Sequence, residues 1–295
     1  MNRIPTTGKG LVYVLPLMAG IIGFILIPAV MTFCLSLFQW SLSKPPLWVG
    51  PANYLRLLWG GGQGPDPLFL QALVNTLIIA LVVPLQVGCS FFLALLLSRR
   101  MVGSQMLRIV VFLPGLVSPV ALYILWRWVL NADFGLLTQL LGFFGLAGPA
   151  WLEDPFWSKP AVMMVMFWET VGGFQMLVFL AGVRQIPQQL FEMACLDGMG
   201  LIHKIRIIYL PWMKGLILFN LCLGTLGALQ GGFEIACLMT GGGPLRSTTT
   251  LAYYLFENAF QWQKVGYGAA IGMVMFMLAL PLLLIVRNQK RRLKN

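Results

Sequence analysis

The side chains best placed to do chemistry in this sequence are two isolated acids, one histidine and a few polar groups set inside apolar runs. Glu169 and Glu234 both lie within such runs, and acids 65 positions apart cannot be read as a catalytic pair from sequence. His203 is the only histidine, which excludes bis-histidine haem sites and H-E-x-x-H zinc sites. Cys34, Cys89, Cys195, Cys222 and Cys237 form no C-x-x-C pair and read as small buried side chains, not as a disulfide or metal framework. A phosphate-binding loop needs G-x-x-x-x-G-K-[ST], and none of the eight lysines precedes Ser or Thr. No serine elbow or metal cluster is evident. The polar groups suit holding a solute better than breaking a bond, so the chain is not expected to be an enzyme.

Those polar groups fall in two places. Trp168-Glu169-Thr170-Val171-Gly172-Gly173-Phe174-Gln175 interrupts one apolar run, and Asn220 with Gln230-Gly231-Gly232-Phe233-Glu234 interrupts another. Aromatic faces combined with amide or carboxylate hydrogen bonds are what sugars require. Trp168, Glu169, Phe174, Gln175, Asn220, Gln230 and Glu234 are therefore candidates for lining a solute path. Helix packing is the competing explanation, since glycines permit close approach and amides bridge helices. Asn75 and Gln86 are secondary candidates. No Lys or Arg lies well inside an apolar run, which disfavours a strongly anionic ligand.

The elements that must position these groups follow from composition. Of 295 residues 59% are hydrophobic and 10% charged, with mean hydropathy +0.83. A soluble domain carries about a quarter charged residues, so the membrane class is indicated. The net charge of +11 does not point to nucleic acid, because the basic residues punctuate the apolar runs instead of forming one polar face. About 20 apolar residues cross a bilayer as a helix. Six stretches qualify: about Leu11–Phe38, Leu73–Ser98, Ile109–Leu130, Ala161–Val183, Leu210–Leu238 and Tyr267–Val286. Their apolar residues are continuous, not alternating, which selects helix over barrel strand. The sequence thus predicts an all-α integral membrane protein with six transmembrane helices (residues 11–286) between a short N-terminal tail (1–10) and a basic C-terminal tail (287–295). The first run is too long for a signal peptide and is expected to stay as an anchor.

Orientation follows from the basic residues. Arg3 and Lys9, then Arg99, Arg100 and Arg108, then Arg184, Lys204, Arg206 and Lys214, then Arg287, Lys290, Arg291, Arg292 and Lys294 share one side, 14 of the 20 Lys and Arg. Both termini are thus predicted cytoplasmic. Asp66, Asp133, Glu153, Asp154 and Glu257 fall on the outer side, with Trp48, Trp59, Trp128, Trp151, Trp157 and Trp262 as interfacial anchors.

The loop between spans four and five, about residues 185–211, is long for a helical hairpin. Pro187 can open a short helix, Asp197-Gly198 is a turn or helix-stop signal, and a second short helix fits before Leu210-Pro211. Leu190, Phe191, Ala194, Cys195 and Leu196 would form an exposed apolar patch, the usual mark of a partner surface. Glu192, Ala194, Asp197 and Gly198, followed by Ile208, Leu210 and Pro211, resemble the EAA loop of binding-protein-dependent ABC importer permeases. Met193 and Met199 stand where alanine is usual, and Ile205 where an aromatic is common. After span five, Leu238-Met239-Thr240-Gly241-Gly242-Gly243-Pro244, then Ser247-Thr248-Thr249-Thr250 and Tyr253-Tyr254, is similar to the sugar-type subfamily, and to the first of its two permeases.

The resemblance covers about Leu73 to the C-terminus and implies a mechanism. This permease would pair with a second permease subunit in the cytoplasmic membrane of a bacterium or archaeon. Each would dock a coupling helix on one of two ATPase subunits, which bind the ATP and magnesium. An extracytoplasmic solute-binding protein would deliver an oligosaccharide, sugar, polyol or glycerol phosphate. Glu192, Ala194, Leu196, Asp197 and Gly198 would make the ATPase contact. Three rivals remain: an ABC permease for a non-sugar solute; an ion-coupled secondary transporter, for which only Glu169 and Glu234 are available as intramembrane acids; and an integral-membrane enzyme, for which no reactive cluster appears.

Overall fold

The computed structural model describes residues 7–60, 64–98 and 103–292. Arg3, Arg99, Arg100 and Lys294, which enter the orientation argument, lie outside the described residues, as do Gly61, Gly62 and Gln63. The chain opens with α1 (Thr7–Ile21), which runs through one π turn (Ile22–Leu26) into α2 (Ile27–Ser36). The connection that follows α2 is not wholly irregular, as an all-α reading would have it. Phe38–Ser41 (β1) and Lys44–Trp48 (β2) pair antiparallel, with Phe38 opposite Trp48 and their rings edge to face at 5.0 Å. That aromatic cross-strand pair closes the hairpin. Then follow α3 (Ala52–Trp59), α4 (Pro67–Ala80) and α5 (Val82–Ser98), the last two forming one apolar rod interrupted only at Leu81.

The third apolar run is not a single straight helix. Ser104–Phe112 (α6) passes through a 3-10 turn at Leu113–Leu116, and α7 (Pro119–Val129) leaves at 97°. Pro119 has no N–H to give, and it pushes Ser118 into an extended conformation (φ −57°, ψ 129°). After α8 (Leu136–Phe143), the fourth run breaks at Gly172-Gly173 into α9 (Pro155–Val171) and α10 (Phe174–Arg184), bent by 40°. Next come α11 (Gln188–Leu196) and α12 (Leu201–Lys204). The expected boundary before Leu210-Pro211 is absent. A π turn (Ile205–Tyr209) carries α12 directly into α13 (Leu210–Ile235), and a second one extends it to Thr240, so the helix is continuous from Leu201. Pro211 sits in the first turn of α13, where the wide turn needs no donor from it. The chain ends with α14 (Leu251–Phe256), a π turn (Glu257–Gln261) and α15 (Val265–Arg292). Among the described residues four helices are long and apolar enough to cross a membrane, or up to six if each bent pair is one span.

Contacts divide the chain into two units. The first comprises Met1–Asp66 and Leu255–Phe276. Here the Asn53 amide donates to the carbonyls of Ser36 (2.8 Å) and Phe38 (2.9 Å), tying α3 to the base of the hairpin. Gly266 lies so near the Phe38 carbonyl that a Cβ would stand 1.9 Å from its oxygen. The second unit comprises Pro67–Tyr254 and Met277–Asn295, and α5 is its centre. Val83, Val87 and Ala94 of α5 pack against Met176 and Phe179 of α10 and Met213 of α13. A second cluster joins Ile79, Leu122, Val162, Val165 and Ile235. Two polar side chains of α5 hold the broken fourth run. Gln86 Nε2 donates to the Met166 carbonyl at 2.8 Å and Ser90 Oγ to that of Val171 at 2.7 Å. These bonds supply carbonyls near the break with donors that water cannot bring to them in a bilayer.

Candidate functional site

A cavity of about 370 Å³ opens in the second unit between α5, α7, the two halves of the fourth run and α13. Its size lies in the usual range for small-molecule sites, about 300–1,000 Å³. From α13 it is lined by Asn220, Leu223, Gly224, Gly227, Ala228, Gly231 and Glu234, a stripe at helical spacing. Glu169 and Thr170 enter from the end of α9, Phe174 and Gln175 from the start of α10, and Gln86 from α5. The Gly172-Gly173 break thus lets two consecutive helical segments turn polar groups to one space.

Five of the seven candidate path residues, Glu169, Phe174, Gln175, Asn220 and Glu234, meet at this cavity. Glu169 and Glu234, 65 positions apart in sequence, share its wall. Trp168 and Gln230 do not line it. One helical position is a rotation of about 100°, which turns Trp168 away to pack edge to face on Trp126 at 5.3 Å and leaves Gln230 exposed beside the stripe. Of the secondary candidates, Gln86 lines the cavity. Asn75 instead donates to the carbonyls of Arg246 (2.9 Å) and Thr249 (3.0 Å).

Sequence reasoning missed Tyr123. Its hydroxyl donates to Glu169 Oε2 at 3.0 Å inside the cavity. The available signal was a lone phenolic hydroxyl within an otherwise apolar run. Asn220 is fully buried. Its amide nitrogen bonds one turn back to the Leu216 carbonyl at 3.0 Å, and its Oδ1 has no hydrogen-bond partner among the described residues. Phe174, Met166 and Leu223 add apolar wall.

The loop between α10 and α13 is built around one helix terminus. Pro187 precedes α11, and the helix ends in a Schellman motif. Gly198 takes φ +65°, its N–H bonds the Cys195 carbonyl (3.1 Å) and the Met199 N–H the Ala194 carbonyl (2.9 Å). The apolar patch differs in membership from the expected one. Ala194 is buried, and Leu190, Phe191 and Met199 pack against the core, with Phe191 and Tyr209 rings 5.2 Å apart. Residues 190, 191 and 194 share the inward face of α11, so Met193 and Leu196 are turned outward. Leu196 is 89% exposed, Ile202 79%, and Glu192, Asp197 and Gly198 are exposed between them. The Glu192 carboxylate accepts from Gln188 Nε2 at 3.0 Å.

The glycine-rich segment after α13 is tightly held. Gly242 has φ +79°, and a Cβ there would lie 2.6 Å from the Tyr253 ring. Asn75 and Gln71 donate to backbone carbonyls of the segment, and the Ser158 and Ser247 hydroxyls bond at 2.8 Å.

Residues 86–295 match the model of the family described as binding-protein-dependent transport system inner membrane component. Among similar proteins is a sulfoquinovosyl glycerol transport system permease protein of Agrobacterium fabrum. It is 33% identical over 248 residues, which are 83% of this chain and 78% of that one. A trehalose/maltose transport system permease protein of Thermococcus litoralis is 31% identical over 274 residues, 92% of this chain and 90% of that one. The crystal structure of a bacterial ABC transporter involved in the import of the acidic polysaccharide alginate contains a chain of the same fold. Its TM-score is 0.81 at 23% identity, with 97% of each chain covered. A match that takes in α5, both halves of the fourth run, the α11 loop and α13 places this chain in the family of binding-protein-dependent transport system inner membrane components, as a multi-pass membrane protein of that class.

Proposed function

We propose that this chain is the membrane-spanning permease subunit of an ATP-driven importer for carbohydrate-like solutes: oligosaccharide, sugar, polyol or glycerol phosphate. In this reading the four straight helices and two bent pairs make six crossings with both termini cytoplasmic. The α11 loop faces the cytosol and docks on one of two separate ATPase subunits, which hold the ATP and magnesium. A second permease completes the path, and an extracytoplasmic solute-binding protein feeds it. The named substrates of the relatives support the carbohydrate class.

One observation carries the coupling role. The residues of the E-x-A-x-x-D-G pattern are split by the fold into an anchored part and a presented part. Ala194 is buried and locks α11 to the bundle, while Leu196, Asp197 and Gly198 project at a closed helix end. An exposed leucine on a rigidly held turn suits insertion into a partner's groove. Force applied there passes directly to α13, because Phe191 packs on Tyr209 at its base.

Gly198 provides the test. A Cβ at this position meets nothing within 4 Å in this chain, so a larger side chain costs only the left-handed strain, about 1–2 kcal/mol. Gly198→Trp is expected to insert in the membrane at normal level and to abolish ATP-driven uptake by the assembled transporter. Unimpaired uptake by that variant would refute docking at this turn.

A further inference from the structure

We infer that a groove along the first turns of α13 holds an anionic phospholipid of the cytoplasmic leaflet. This rests on the reading above only for the side of the membrane on which α13 begins. The groove, about 510 Å³, is lined by Leu210, Pro211, Lys214, Ile217, Leu218 and Leu221, which share one face of the helix. Lys214 is the single polar side chain in this set. Ile217 and Leu221 rest against the core cluster around α5, which gives the groove a firm floor, while Pro211 and Lys214 stand exposed at its rim. The Lys214 ammonium has no hydrogen bond or ion pair among the described residues. The continuous helix from Leu201 carries no acid before Glu234, and Lys204 and Arg206 add positive charge at the same end.

A cation without a partner, set among leucines at the edge of a bilayer, suits an anion that is itself joined to an apolar body. An anionic phospholipid is both. Its phosphate pairs the ammonium, and an acyl chain covers the apolar wall. The dimensions agree. From Leu210 to Leu221 the helix rises about 16 Å, close to half of the ~30 Å hydrocarbon core. Lys214 stands one turn from the cytosolic end of the groove, so a headgroup there leaves Ile217, Leu218 and Leu221 to the chain. A zwitterionic lipid carries its own cation beside the phosphate and gains less from Lys214. A second permease seated on this face would bury the ammonium in an apolar interface and would have to bring an acid to it.

The test uses the assembled transporter in phosphatidylcholine vesicles, with the five native cysteines replaced and Leu218→Cys carrying a bimane fluorophore. A rising share of the lipid is exchanged for dibrominated phosphatidylglycerol or for dibrominated phosphatidylcholine, and quenching is read. The anionic lipid is expected to reach half-maximal quenching at about a fivefold lower mole fraction, the effect of one cation near a membrane surface. With Lys214→Gln the two curves should coincide, and with Lys214→Arg the preference should return. Leu210→Cys, at a 40% exposed position of the same groove, is the second reporter in case the first disturbs packing. Equal quenching by the two lipids with Lys214 in place overturns the inference, as does a preference that survives Lys214→Gln. Quenching by neither lipid at both reporters also overturns it and gives the face to a protein partner. Orientation is read separately. Ile202→Cys, at a 79% exposed position, should react with a membrane-impermeant maleimide only after cells are permeabilised. Labelling in intact cells would refute the cytosolic placement and leave the groove's lipid preference standing.

Discussion

Replacing Gly172 by alanine tests the geometry on which the cavity depends. Gly172 ends α9 at the bend of the fourth run, directly against α6. A Cβ built there stands 1.8 Å from the Val111 carbonyl oxygen, 2.7 Å from its carbon and 2.5 Å from Val111 Cγ1. Ordinary van der Waals contact begins near 3.4 Å. One helix must therefore retreat by well over an ångström, and the obstructing atoms are backbone, which no rotamer change removes. Overpacking of this kind costs about 1–3 kcal/mol, and a backbone clash belongs at the upper end. At about 2–4 °C per kcal/mol, the apparent melting temperature of the purified protein should fall by about 6–12 °C. Gly231→Ala is the control. It adds the same methyl to a helix where nothing lies within 4 Å, and alanine is the better helix former by about 1 kcal/mol, so its melting temperature should hold or rise. Adding Val111→Ala to Gly172→Ala removes the Cγ1 contact but leaves the carbonyl, so it should restore little. Equal melting of the Gly172→Ala and Gly231→Ala proteins, or full rescue by Val111→Ala, would show that α6 and the bend do not approach as described.

Asn75→Leu removes the donor to the Arg246 and Thr249 carbonyls at a buried position, at a cost of about 1–3 kcal/mol. Hydrogen exchange across residues 241–250 should accelerate, and unchanged exchange would contradict the pinning. Gly242→Ala combines left-handed strain at φ +79° with a clash against the Tyr253 ring, whereas Gly241→Asn, at φ +60° with open space, should be tolerated; differential scanning fluorimetry separates the two. Leu196→Asp, at an 89% exposed position, should leave the melting of the isolated permease unchanged while reducing co-purification of the ATPase, and normal co-purification would count against the docking surface.

The residues themselves explain which features were legible in the sequence. Runs such as Tyr13–Ser36 and Pro67–Ser98 announce themselves because hydrocarbon demands continuous apolar side chains. The 97° bend of the third run is invisible to hydropathy, since Pro114, Gly115 and Pro119 are no more polar than their neighbours; what they lack is a backbone donor or a Cβ. The hairpin at Phe38–Trp48 is too short and proline-rich to show alternation. At the cavity, Glu169, Gln175, Asn220 and Glu234 stood out as polar groups in apolar surroundings, but which neighbours share their face depends on helix phase across a break. That phase puts Trp168 and Gln230 elsewhere and brings in Tyr123, whose ring passes for an apolar residue until its hydroxyl meets Glu169. On α11, the motif was readable while its division into buried and exposed positions required knowing which side faces the bundle.

The opening helix carries a different consequence. None of the most apolar stretch of Tyr13–Ser36 is buried among the described residues, and the backbone hydrogen bonds a helix needs in a bilayer are internal to it. Its message is therefore written in an alphabet of two letters, greasy or not. Leucine, isoleucine, valine and phenylalanine are interchangeable there as far as this chain's own packing is concerned, so shuffling their order should leave the fold untouched. A single aspartate at the midpoint would cost roughly 3 kcal/mol of insertion free energy.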